Sequence, residues 1–139
     1  MRPILNLSAI VCLMLSLGCS GDVGDMPEVG AVHGSVTLNG EPVSNAAVKF
    51  YPLEGGRTST AVTDEAGMYT LTYNATVDGA KVGMHEVAVS TFEAASGDGG
   101  EGASAGRKEI VPPKYSKFPS QLKVEVKAGD NELALDVSP

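Results

Sequence analysis

Apolar side chains recur at every second position in successive runs between Val32 and Val137, which is the period of a half-buried strand and not of a helix. Val32, Gly34, Val36 and Leu38 share one face of a first strand, with His33, Ser35 and Thr37 on the other. Asn39-Gly40 follows as a tight-turn signal, because both residues tolerate positive φ. Ala46, Val48 and Phe50 line up next and are ended by Pro52. After a Gly-Gly loop, the β-branched stretch Thr58 to Thr63 runs into Asp64-Glu65-Ala66-Gly67, a turn with glycine where left-handed backbone is expected. Tyr69, Leu71 and Tyr73 alternate with Met68, Thr70 and Thr72, and a fifth run, Val82 to Thr91, carries His85, Val87 and Val89 on one face.

The last two runs predict a hairpin. A two-residue turn at Gly129-Asp130 sets Lys127 opposite Glu132 and Lys123 opposite Asp136. Val126, Val124 and Leu122 then face Leu133, Leu135 and Val137, so apolar meets apolar and opposite charges meet on the wet face. Seven short strands, regular turns and no helical segment predict an all-β, seven-stranded antiparallel Greek-key β-sandwich.

Composition narrows the picture. A chain of 139 residues has room for one domain once a targeting segment is set aside. It has no Trp and 17 glycines, which fits a core of Val, Leu and Ala with many turns. The net charge of -7 repels phosphate backbones, and no basic stripe with interleaved aromatics offsets it. Nucleic acid is therefore not an expected partner, and the domain is expected to be a monomer.

Arg2 precedes a mostly apolar run, Ile4 to Leu17, that is too short to span a bilayer but has the length of a signal-peptide core. Leu15-Ser16-Leu17-Gly18-Cys19 then resembles the lipobox of bacterial lipoproteins, in a looser form with Ser16 where Leu is commonest. That resemblance implies a signal peptide over 1–18, diacylglycerol on the Cys19 sulfur, and cleavage that leaves Cys19 at the new N-terminus. Two acyl chains make a stable anchor where one is marginal. Cys12 would be discarded, so the mature chain would hold no disulfide and depend on its core. Residues 19–30 read as the lipidated cysteine and a flexible tether, with the sandwich over 31–139. Ser20 is not the Asp of the enterobacterial inner-membrane retention signal, so outer-membrane placement, facing periplasm or surface, is expected.

Several segments occur in a suggestive order: Val32-His-Gly-Ser-Val36, Gly40-Glu-Pro-Val43, Ala47-Val-Lys-Phe50-Tyr-Pro52, Thr63-Asp-Glu-Ala-Gly67-Met-Tyr69-Thr-Leu71 and Gly83-Met-His-Glu-Val87-Ala-Val89. Together they resemble the carboxypeptidase regulatory-like, transthyretin-related β-sandwich domain. The resemblance covers Ala31 to Pro139, and Thr63-Asp64-x-x-Gly67-x-Tyr69-x-Leu71 is its most specific piece. Val111-Pro-Pro-Lys-Tyr115 and the last two runs resemble a subgroup of small bacterial lipoproteins. The family implies a seven-stranded accessory or binding module without chemistry of its own. In the turn signature, Asp64 is expected to cap backbone N–H groups, Gly67 to take the left-handed position, and Tyr69 and Leu71 to enter the core.

Several chemistries compete with that reading. Hydroxyisourate hydrolases resemble transthyretin and end in Tyr-Arg-Gly-Ser, whereas this chain ends Asp136-Val-Ser-Pro139. Intradiol dioxygenases share a similar sandwich and hold iron with two Tyr and two His; here His33 and His85 lie on different strands with no ligand spacing. Both are expected to face solvent or be half buried. Asp64, Glu65 and Asp98 match no calcium loop, and no G-x-S-x-G elbow occurs. A Lys49–Asn131 isopeptide crosslink is disfavoured because alternation turns Lys49 outward. No metal, cofactor or catalytic residue is expected.

Glu93 to Arg107 is rich in Gly, Ala and Ser, and 93–109 is expected to be a flexible loop. Val111 to Phe118 is stiffened by two prolines and carries Lys114, Tyr115, Lys117 and Phe118, the candidate binding edge. The expectation is a membrane-anchored, non-enzymatic envelope lipoprotein whose sandwich binds protein or glycan. The alternatives are a purely structural envelope lipoprotein and, last, a cryptic transthyretin-related hydrolase.

Overall fold

The computed structural model describes residues 26–139; the expected signal peptide and Cys19 lie outside the described residues. The protein is an all-β sandwich. In one sheet β1 (Val29–Leu38) lies between β10 (Leu135–Asp136) and β2 (Glu41–Pro42). It also pairs antiparallel with β5 (Met68–Thr70) and β6 (Ala80–Lys81), and parallel with β9 (Asp130–Glu132). The second sheet is antiparallel throughout, in the order β4 (Ser59–Val62), β3 (Ala47–Pro52), β7 (Gly83–Ser90), β8 (Leu122–Val126). Thr60 and Thr72 exchange both backbone hydrogen bonds, at 3.2 and 2.9 Å, and so join the two sheets at one corner.

The alternation read from the sequence is the alternation of burial. Val32 and Val36 of β1, with Tyr69, Leu71, Leu135 and Val137, face Val48, Phe50, Val87, Val89 and Val126 of the other sheet. The Asn39-Gly40 turn takes φ of 53° and 80° and sets Leu38 opposite Glu41.

Three expectations need correction. The last two runs do not form a hairpin: β8 pairs with β7, setting Lys123 opposite Glu86, while β9 and β10 run parallel to β1 in the other sheet. The residues expected to meet side by side instead belong to opposing layers, so the same apolar set is buried by a different pairing. Buried Asn131 holds this crossing. Its side-chain amide donates to the carbonyls of Ala31 and Lys127 at 2.9 and 2.8 Å, and its Oδ1 accepts from the Lys127 amide at 2.9 Å. Gly30 lies so close to this turn that a Cβ would stand 2.1 Å from the Lys127 oxygen.

The second correction is the boundary at residue 31. Val29 and Gly30 already pair with Lys81 and Ala80, and the Val82 amide donates to the Glu28 carbonyl at 2.8 Å. The third is a single helical turn, α1 (Pro113–Ser116), in a region where no helix was expected. Pro112 enters it at φ -54°, ψ 143°, and Pro113 takes a first-turn position where its missing N–H has no intrahelical partner to lose.

Candidate functional site

The turn signature is a staple between strands. The Thr63 hydroxyl donates to the Val43 carbonyl at 2.6 Å and accepts from the Ala46 amide at 2.9 Å. Asp64 Oδ1 accepts from the amides of Ala66 and Met68, both at 2.9 Å. Gly67 has φ 75° and donates no Cβ to a space where one would stand 2.9 Å from the Val36 carbonyl oxygen. Tyr69 and Leu71 are buried beyond it. These bonds engage Thr63 Oγ1 and Asp64 Oδ1 in holding the fold.

The two histidines are far apart in role. His33 is half-exposed on β1, with Nε2 3.0 Å from Asp130. His85 is wholly buried, which corrects the expectation of a solvent-facing or half-buried ring. Inward alternation with Val87 and Val89 puts it there, 5.7 Å from the Phe50 ring. Its Nε2 donates to the Lys81 carbonyl at 2.7 Å, and Nδ1 has no partner among the described residues. Among the described residues, no three His, Cys, Asp or Glu side chains converge. Lys49 is exposed on the outer face of the four-stranded sheet, while Asn131 is buried in the other sheet.

The segment after the 93–109 loop lays a groove over that outer face. The loop runs out and back as a ribbon, bridged at Glu93–Arg107 and Ser96–Ser104. Arg107 pairs with Glu93 at 2.8 Å and donates to the Asn45 carbonyl at 2.8 Å. At its base the Glu109 carboxylate accepts from the Ser90 hydroxyl, from the Thr91 amide at 3.1 Å and from the Val111 amide at 3.0 Å. Burial pushes the Glu109 carboxyl up, but these hydrogen bonds outweigh it and hold the group below its ordinary value.

From Val111 the chain crosses β7 and is fixed at its far end, where the Ser120 amide donates to Glu86 and the Gln121 amide to the Lys114 carbonyl, at 3.2 and 2.9 Å. A hollow of about 660 Å³ opens between this segment and the sheet, lined by Ser90, Phe92, Glu109, Val111, Pro113, Ser116 and Lys117. A second, of about 260 Å³, adjoins it through Ser90, Phe92 and Ser116 and reaches Ala47, Lys49, Tyr51, Ala88 and Phe118.

The four residues of the sequence-derived binding edge divide here. Tyr115 is half-buried against the core, with the Lys114 ammonium 4.8 Å from its ring centre. Lys117 and Phe118 line the groove, and Phe118 packs on Tyr51 at 4.8 Å between ring centres. Sequence reasoning missed Tyr51 and Phe92. The signal was there: Tyr51 is on the outward parity of β3, and Phe92 continues the outward parity of β7 just past its end at Ser90, where inward positions already supply the core. Phe92 remains 63 % exposed and Phe118 59 %, exposures that the core does not require.

No protein-family model and no curated protein sequence matches this chain. Among solved structures it is similar to a DUF3823 family protein from Parabacteroides merdae, at 14% identity and a TM-score of 0.43. The match covers 82% of this chain and 48% of that one, so this chain spans about half the length of the protein it matches.

Proposed function

We propose that the protein is a non-enzymatic envelope lipoprotein, anchored through Cys19, whose sandwich is a binding module of the carboxypeptidase regulatory-like type. The observation that carries this reading is the groove between α1 and the outer face of the four-stranded sheet. It is rimmed by the exposed rings of Phe92 and Phe118 and floored by β3, paired on both sides from Ala47 to Phe50, and by β7. Concave, partly apolar surfaces with a few polar groups are where binding modules hold ligands. The lipobox-like Leu15 to Cys19 supports the anchor, and the segment order from Val32 to Val89 supports the family. The partner is an envelope protein or glycan, and the outer membrane is the proposed location.

A photo-crosslinking phenylalanine analogue at position 118 of the full chain, expressed in cells, tests this reading. Adducts are expected there and not at Thr70, an exposed position on the other sheet. Equal labelling at both positions, or none at either, would favour a purely structural lipoprotein. Cys19→Ser is expected to move the protein from the membrane fraction to the soluble one.

A further inference from the structure

We infer that the groove takes an acidic saccharide, a sugar chain carrying carboxylates; this rests on the binding-module reading above. Three observations select that chemistry. First, the two hollows set two lysines, Lys49 and Lys117, against one carboxylate, Glu109, in a chain that carries -7 overall. Among the described residues neither lysine has a carboxylate within salt-bridge distance. The acidic group that does line the groove, Glu109, has its oxygens occupied by Ser90, Thr91 and Val111. An anionic ligand would therefore meet ammonium groups still open to it.

Second, Phe92 and Phe118 offer exposed ring faces at separate points of the groove, with Tyr51 behind Phe118. Aromatic faces carry partial negative charge, and the C–H faces of a sugar ring present the partial positive charge that complements them. Sugar hydroxyls meanwhile stay turned toward water in so open a groove, which avoids a desolvation cost.

Third, the floor argues against an extended peptide. It is a sheet face, and the backbone of β3 is committed on both sides to β4 and β7. A peptide added as a strand needs a free edge to satisfy its amides, and β3 offers none from Ala47 to Phe50.

The test uses the full lipidated chain in detergent, with a short oligogalacturonate as probe and the matching uncharged oligogalactose as control, read by calorimetry. Oligogalacturonate is expected to bind and to weaken as salt is raised, and the neutral control to bind at least about tenfold more weakly. Phe118→Ala and Lys49→Ala should each weaken binding by about tenfold, while Lys123→Ala, on β8 outside the two hollows, leaves it unchanged. Circular dichroism of each variant must match the parent. Equal binding of the neutral sugar, no binding of either, or binding insensitive to both substitutions would overturn the inference. So would preferential, Phe118-dependent binding to phosphatidylglycerol vesicles. If the sugar fails while crosslinks at position 118 persist, the binding-module reading survives and only the acidic saccharide is lost.

Discussion

The Tyr69 hydroxyl donates a 2.6 Å hydrogen bond to the carbonyl of Leu133, 64 residues away in the chain. Leu133 sits where the edge of the first sheet breaks between β9 and β10, so its carbonyl is free of any strand ladder. The same oxygen lies 2.0 Å from where a Cβ on Gly34 would stand. A tyrosine and a glycine from neighbouring strands thus seat one irregular carbonyl, a structural role for Tyr69 in the turn signature. Burial raises the Tyr69 pKa above the ordinary tyrosine value.

Tyr69→Phe should cost about 1–2 kcal/mol in urea unfolding, because the Leu133 carbonyl loses its donor. The raised pKa adds a sign. Its stabilising contribution is complete below the unfolded-state value near 10 and is lost as pH rises above it. The parent should therefore lose stability on the alkaline side more steeply than Tyr69→Phe, and parallel unfolding curves from pH 8 to 11 check this.

Asn131→Ala should cost about 2–3 kcal/mol, since it leaves the Ala31 and Lys127 carbonyls and the Lys127 amide without partners. Hydrogen exchange at the Lys127 amide should accelerate more than at the β3–β7 ladder. Equal acceleration at both would mean that Asn131 does not hold the crossing locally.

Leu135→Ala is expected to cost about 2–5 kcal/mol, because the side chain is 1% exposed and its removal leaves a cavity between the sheets. Phe118→Ala, on an exposed ring, should stay within about 0.5 kcal/mol of the parent. Thermal unfolding separates the two.

Glu109→Gln tests the groove's foundation on the acid side. With its folded pKa held below the ordinary 4.5, Glu109 contributes stability that is present above that value and lost as pH falls through the lowered one. The variant should show a shallower acid limb than the parent, together with faster exchange at the Thr91 and Val111 amides.

The binding edge was half legible in the sequence. Prolines 112 and 113 marked a stiff segment and drew attention to Lys117 and Phe118, which line the groove. Tyr115 carried the same local signal and yet packs inward, because nothing in a proline-stiffened run specifies which side meets the core. Tyr51 and Phe92 were overlooked because each sits in or beside a strand whose inward residues already accounted for it.

What the sequence determined by itself is which side of each strand is buried. Val32, Val36, Val48, Phe50, Val87, Val89, Val126, Leu135 and Val137 are inward wherever their strands lie, because a two-residue repeat of apolar side chains is satisfied only against another such face. Which strand lies beside which was decided by the tertiary structure. A hairpin of the last two runs and a crossing between sheets bury the same leucines and valines, so the pattern is indifferent between them. Asn131, holding the Lys127 turn against Ala31, and Gly30, leaving room for that turn, suit the crossing, and neither residue announces this until β1 is set against it.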